Sequence, residues 1–486
     1  MEALPDLDRL SNAEKDDLIR KLWPLQALVL ELLEQVAALT AKVADLEGRL
    51  AQNSRNSSKP PSTDGMSKPA PKSLRKAGQH PTGGQKGHTG HTLKKVAQPD
   101  HIEAHCPPSR CDFCHRPLED ATVVETRQVF DIPVLGCEVT EHQLLEASCT
   151  CGKVHRGAFP AEVSAPVQYG PRIKAAVVHL QHHHMTPVAR TGDLMGDFFG
   201  LPMSDATVLA MSAEANSRLA PTVAAIGAAV QAAPIAHADE TGMRVAGKLN
   251  WMHVLATLSL TWIGCHPNRG KKAFDAFGLL LAFAGTLIHD GWKPYRDLLC
   301  KHGLCNAHHL RELTYAPKEV PLGDVFEEMG QTWAKRMIDL LVAACHEVET
   351  IGSPLPTRRI AYFHRAYARI LAEGDVTNPR APPSGKRGAT KQSKAANLIK
   401  RLRDYTDDVW RFATDQNVPF TNNIAEQAVR MPKVKQKISG CFRTKAGADT
   451  FCIIRSYLAT MHKQGENLFH ALTLTFQGNT PQPRFA

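Results

Sequence analysis

The chain has no stretch of about 18 or more residues that is apolar throughout and free of charge, so no bilayer-spanning helix is expected, and neither end carries a lipidation signal. The N-terminus, Met1-Glu2-Ala3-Leu4-Pro5-Asp6, shows no basic segment followed by an apolar one. Export is therefore not expected, and the cytoplasm is the anticipated location. Acid is nearly missing from Asn53 to Ala97, where nine Lys or Arg stand against the single acid Asp64. Such text, full of Ser, Pro, Gly and Lys, cannot bury enough apolar surface to fold alone, and a mobile basic linker that could lie along phosphates is expected. What is present in quantity is length, 486 residues of which 43% are hydrophobic, enough for several domains. The formal charge is +10, and the basic residues fall in runs, which suits a nucleic acid partner. The twelve cysteines include short-spaced pairs, which without a secretion signal point to metal rather than to disulfides.

From Leu22 to Leu50 the apolar residues form heptads, with Val29, Val36, Val43 and Leu50 at one position and Leu25, Leu32, Leu39 and Leu46 at the other. β-Branched residues at a with leucine at d favour a parallel two-stranded coiled coil, hence a homodimer or higher oligomer. The alternative is one amphipathic helix packed on its own core. Pro24 is expected to limit the helix on its N-terminal side. Further along, Cys111-x-x-Cys114 and Cys149-x-Cys151-Gly152 are joined by strand-like text such as Gln128-Val-Phe-Asp-Ile. Four thiolates on tight turns can close a tetrahedral structural Zn²⁺ site, so a zinc ribbon is expected, with His105 and Cys106 as possible substitutes.

Pro187 to Phe199, the turn Gly200-Leu-Pro202, and a second apolar run entered at Ser204 read as helix, turn, helix, with Ser204 as N-cap. This is the outline of a DNA-binding unit, and equally of a plain helical domain. Just upstream lie His179, His182, His183 and His184. A helix would spread them over different faces, so a surface or packing role is expected.

The text then turns to strands. Pro234-Ile-Ala-His-Ala-Asp239 reads as a short buried strand ending in an acid, followed by strands over Leu249–Thr257 and Leu260–Cys265, a helix from about Lys271 to Phe283, the strand Gly285-Thr-Leu-Ile-His-Asp290, and Gly303-Leu-Cys305 leading into a helix. The order βββαβαβ is that of an RNase H-like opening, in which the first and fourth strands lie side by side and bring Asp239 and Asp290 together. A third acid comes from Thr421-Asn-Asn-Ile-Ala-Glu426. Glu426 has N3 spacing from Asn423, so it could instead close a capping box and pair with Arg430. Two divalent ions shared by several carboxylates would favour the catalytic reading.

His237-Ala-Asp239-Glu-Thr-Gly242, His289-Asp290-Gly-Trp-Lys-Pro-Tyr295, Cys305-Asn-Ala-His308-His-Leu-Arg-Glu312 and Thr421-Asn-Asn-Ile-Ala-Glu426 with Arg430 closely resemble the insertion-sequence-66 family of DDE transposases. The resemblance extends to Asn53-Ser-Arg-Asn-Ser-Ser-Lys-Pro-Pro-Ser62 and to Lys433-Val-Lys-Gln-Lys-Ile-Ser-Gly440. It implies Asp239, Asp290 and Glu426 as catalytic acids holding Mg²⁺ or Mn²⁺. Asp239 would bridge two ions while water, and later a DNA 3′-hydroxyl, attacks phosphorus. It also implies that Cys305-x-x-His308 precedes a helical insertion, for which the 135 residues from Gly291 to Ala425 leave room. By themselves Cys305 and His308 could be half a metal site, but no second half is evident, and a structural role is expected. Small companion proteins of the same element are a further implication. The chain departs from the family's common C-terminus in its ending, Phe476 to Ala486.

The expected fold is therefore a multidomain α+β chain. It comprises a coiled-coil helix (1–52), a basic linker (53–97), a zinc module (98–160), a helix-turn-helix-like region (161–230), an RNase H-like core in two parts (231–312 and 416–475) around a helical insertion (313–415), and a tail (476–486). Arg430, Lys433, Lys435, Lys437, Arg443 and Lys445 carry no intervening acid and could hold phosphates, as could the stretch Lys386 to Arg403. Trp292 could stack on an unpaired base or belong to the core. The partners expected are element-end and target DNA. Two other readings remain open, a non-catalytic zinc and coiled-coil DNA-binding regulator, and an RNase H-like nuclease that cuts without joining.

Overall fold

The computed structural model describes residues 10–50, 94–118, 122–132, 135–315, 332–383 and 390–485. Most of the 53–97 segment, part of the 313–415 region and Lys386 lie outside the described residues. The described residues fall into two compact units, one holding 10–50, 160–191 and 204–485, the other 94–159 and 192–203. Among them no helix is long and apolar enough to cross a membrane.

In the larger unit, helix α1 (Asn12–Leu50) starts at a reciprocal cap. The Ser11 amide donates to Glu14 Oε2 at 2.8 Å and the Glu14 amide to Ser11 Oγ at 3.4 Å, satisfying two of the free amides of a helix start. The helix runs unbroken through Pro24, contrary to expectation. One proline costs about 3 kcal/mol in a helix interior, and 39 residues of mostly strong helix formers absorb it. Val29, Leu32, Val36, Leu39, Val43 and Leu46 are all exposed, so among the described residues the stripe does not pack on a core of its own.

The smaller unit carries strands β1 (Glu146–Ser148) and β2 (Val154–Arg156), paired antiparallel. The strand-like text at Gln128–Ile132 forms no strand.

Three helices follow, α2 (Pro171–His182), α3 (Val188–Phe199) and α4 (Asp205–Ala232). Ser204 caps α4 as expected, its side chain accepting from the Thr207 amide at 3.2 Å.

A five-stranded sheet carries the rest of the larger unit. Its strands are β3 (Ile235–Val245), β4 (Lys248–Ala256), β5 (Thr261–His266), β6 (Thr286–His289) and β7 (Lys301–Leu304), in the order β5-β4-β3-β6-β7. The first three are antiparallel, and β6 and β7 are parallel additions beside β3. The turn between β3 and β4 places Ala246 and Gly247 at φ +49° and +77°, the two positive-φ positions of a tight hairpin that matches strand twist. Helix α5 (Lys271–Phe277) stops short of the expected Phe283 because Gly278 takes a left-handed C-cap at φ +73°. A short helix α6 (Lys293–Arg296) precedes β7, and α7 (Asn306–Tyr315) follows it.

Helices α8 (Trp333–Ile351), α9 (Thr357–Thr377), α10 (Lys394–Asp404), α11 (Thr406–Val409) and α12 (Arg411–Thr414) build a separate apolar core around Trp410, Tyr367 and Ile399 that reaches Ile288 and Leu304 on the sheet. Helices α13 (Asn423–Ser439), α14 (Lys445–Lys463) and α15 (Leu468–Phe476) complete the unit. Met243, Val245, Met252, Val254, Ile263 and Cys265 share a core with Phe451 and Cys452 of α14. Edge strand β5 is closed by α14, whose Ser456 Oγ accepts from the Ile263 amide at 2.8 Å and Thr460 Oγ1 from the Thr261 amide at 3.0 Å. The fold is thus α+β.

Candidate active site

Asp239 lies within β3 rather than at its end, because the antiparallel pairing with β4 carries the strand on to Val245. What ends near Asp239 is the parallel pairing with β6, whose last pair is His237 with Ile288. Continuing that register by two residues brings Asp239 level with Asp290, which leaves β6 into the turn before α6. Successive side chains of a strand point to opposite faces. Asp239 therefore shares its face with His237, Met243 and Val245, the face on which α13 and α14 pack.

Helix α13 is fastened at that place through its N-cap. The side-chain amide of Asn422 donates to the Ala238 carbonyl at 2.9 Å, its oxygen lies 2.9 Å from His237 Nδ1, and its backbone amide donates to Cys305 Sγ at 3.1 Å. The helix begins at Asn423, so the capping box with Glu426 does not form, and Arg430 makes no ion pair with it. Glu426 instead faces α7 and the end of β7. Its Oε1 lies 3.7 Å from Cys305 Sγ, 3.6 Å from His308 Nδ1 and 3.6 Å from an Arg311 nitrogen. Cys305, His308 and Glu426 offer ligand atoms within 4.8 Å of one another. The fold thus brings Glu426, distant in sequence, beside Cys305 and His308.

Electrostatics link the three acids. Burial first, then the charges of Glu240, Asp290 and Glu426, hold the Asp239 carboxyl well above the usual carboxylate range, although its oxygen accepts from the Glu240 amide at 2.8 Å. Burial, with Glu426 second, pushes the Cys305 thiol up to about 12, so it stays protonated and can donate to Glu426. Burial likewise lowers His308, whose Nδ1 has no hydrogen-bond partner. The Asp290 turn is set by a histidine chain. The Gly291 amide donates to His289 Nδ1 at 3.0 Å, so His289 Nε2 carries the proton toward His302 Nδ1 at 3.1 Å, and His302 Nε2 donates to the Leu298 carbonyl at 3.2 Å. Asp290 in turn accepts from the Trp292 amide at 2.9 Å.

On the opposite face of β3, Glu240 is buried and raised by desolvation, and it is compensated by Arg269, whose Nε donates at 2.7 Å, and by the Tyr295 hydroxyl. The Arg269 guanidinium lies 3.8 Å from the Trp292 ring centroid and 4.8 Å from that of Trp251. Trp292 is half-buried and spends its face on Arg269.

Of the basic residues after Glu426, Arg430, Lys437 and Arg443 are exposed and unpaired among the described residues, while Lys433 and Lys435 are half-buried and lowered by that burial. Lys433 donates to the Gly242 carbonyl at 2.9 Å and so braces α13 on β3. Lys445 pairs with Asp449.

In the smaller unit each cysteine pair sits on a tight turn. The Cys111 amide donates to the Arg116 carbonyl at 2.9 Å, and the Cys149 amide to that of Lys153 at 2.8 Å across Gly152, which is at φ +85°. The backbone amide of Cys114 lowers the Cys111 thiol, and that of Cys151 lowers Cys149. The structure does not gather Cys111, Cys114, Cys149 and Cys151 into one cluster.

Comparison with known families defines the class of protein to which this fold belongs. The profile described as "Transposase IS66 family" matches residues 166–450, more than half of the chain. The chain belongs to that transposase family, and with it to the DNA-processing enzymes. A second profile, described as a family of unknown function (DUF6444), matches residues 2–94. No curated protein was found to match the chain.

Proposed function

We propose that the chain is a DDE-type transposase whose catalytic acids are Asp239, Asp290 and Glu426 on an RNase H-like sheet, cutting the ends of an insertion element and joining them to target DNA. The observation that best supports this reading is that the β3–β6 register sets Asp239 level with Asp290 while Asn422 docks the helix carrying Glu426 on the same strand. Mutually repelling, partly buried carboxylates with hard oxygen donors fit Mg²⁺ or Mn²⁺. Bound there, divalent ions would activate the attacking water or 3′-hydroxyl and stabilise the leaving oxygen. The chain's own groups do the positioning. Asn422 docks the helix that carries Glu426, the protonated Cys305 thiol orients the Glu426 carboxylate, and the His289–His302 chain fixes the turn bearing Asp290.

The sheet order β5-β4-β3-β6-β7 supports the RNase H-like assignment, with α8 to α12 as the helical insertion before Glu426. Exposed Arg430, Lys437 and Arg443, on and just after α13, are the groups we assign to DNA phosphates. Lys433 and Lys435 act more as struts. For the cysteine pairs a structural zinc role rests on the turn geometry of each pair, since closing such a site is itself part of folding.

Mn²⁺ binding tests the acid cluster directly. Wild type should bind the ion at this site, and Asp239→Asn, Asp290→Asn and Glu426→Gln should each weaken it at least tenfold while keeping the circular dichroism spectrum. Unchanged binding in all three would remove the acids from any metal site.

A further inference from the structure

Helix α2 ends at His182 because the chain wraps around its last turn. The His183 and His184 amides both donate to the His179 carbonyl, at 2.9 and 3.2 Å, and the Thr186 amide to that of Leu180 at 3.0 Å. Met185, at φ +61° and fully buried, pins this wrap into the core beneath the sheet. The turn undoes the expected spreading of the histidines. His182 points inward, with Nε2 at 3.1 Å from Ser212 Oγ, while the other three rings converge.

The ring centroids of His179, His183 and His184 lie 4.8 to 4.9 Å apart, and His462 of α14 stands 5.9 Å from His183. His184 Nε2 is 3.1 Å from His179 Nε2, close to the separation that two imidazoles take on one ion with bonds of roughly 2.0–2.1 Å. One nitrogen from each of the three rings lies within 4.8 Å of the others. The Nδ1 atom of His183 is buried and, among the described residues, has no hydrogen-bond partner, a cost that plain ring packing leaves uncompensated.

We infer that His179, His183 and His184 form a binding site for a late first-row divalent ion of the Zn²⁺ type, separate from the carboxylate cluster, with water or His462 at a fourth position. Imidazole nitrogens select such ions over Mg²⁺. With His462 as the fourth ligand, a bound ion would tie the end of α2 to the end of α14, the helix that closes edge strand β5. It would brace the sheet rather than take part in chemistry.

Co²⁺ titration of the metal-stripped full chain tests this, because a site built of imidazoles gives visible d–d bands without the near-ultraviolet sulfur band that the cysteine pairs would give. His184→Ala, at an exposed position, and His183→Ala should each lose one sulfur-free equivalent, or weaken it at least tenfold, and lose part of the rise in melting temperature that Zn²⁺ brings. Unaltered stoichiometry, affinity and Zn²⁺ response in both variants, with apo dichroism matching wild type, would overturn the site.

Discussion

Asp239 and Glu240 are neighbours in sequence with opposite fates, decided by the pleat of β3. Glu240 turns to a closed pocket where Arg269 and Tyr295 compensate its burial, and Asp239 turns to a face where its nearest charged company includes Asp290 and Glu426. The same contrast holds for sulfur. Cys305 accepts from the Asn422 amide and donates to Glu426, and we assign it the role of positioning that carboxylate. Cys305→Ala should lower kcat for end cleavage by roughly 10- to 100-fold, the usual cost of removing a group that orients a metal ligand. KM for DNA should stay within about twofold, and Cys305→Ser should recover most of the rate. Equal kcat in wild type and Cys305→Ala would remove that role.

At the scale of elements, the placement of α13 decides whether there is a site. Asn422→Ala would leave the buried His237 ring and the Ala238 carbonyl without their partner, and unsatisfied buried groups cost about 1–3 kcal/mol each. Chemical denaturation should show a loss of about 2–4 kcal/mol, and a loss under 0.5 kcal/mol would mean that the helix docks by packing alone. Much of this scale could be read beforehand. The succession of three strands, helix, strand and strand followed from apolar runs and their punctuation, and the pairing of β3 with β6 followed from the strand order. Some misreadings arise because the deciding contact is distant in sequence, whereas the early end of α5 is set locally by Gly278. Asn422 and Asn423 are both good caps, and only the demand of β3 for an amide selects Asn422. The acidic neighbour of Cys305 and His308 likewise arrives from α13, beyond helices α8 to α12. The end of α2 carries no glycine to announce it, and a buried Met185 in the left-handed region makes the turn instead.

For the whole molecule, the features with no role inside one chain point to assembly and to DNA. The exposed Val and Leu stripe of α1 keeps the heptad spacing of a two-stranded coil, and a second copy of this chain is the partner that spacing fits. Sedimentation of the full chain should show a dimer or larger species that Leu39→Glu shifts toward monomer, and a wild type that sediments as monomer at micromolar concentration would contradict the coil. The net charge of +10, carried partly by the run after Glu426, supplies an affinity for phosphates that falls as salt rises.

Whether three carboxylates from two strands and a helix act as one catalytic centre for cutting and joining DNA is decided by cleavage and strand transfer on the element's own end DNA with Mg²⁺ or Mn²⁺, companion proteins included, comparing wild type with Asp239→Asn, Asp290→Asn and Glu426→Gln. Both reactions should fall by roughly a thousandfold or more in every variant while DNA binding persists. Activity undiminished in any one of them would expel that residue from the centre, and a wild type that binds end DNA under these conditions yet never cuts it would contradict the claim as a whole.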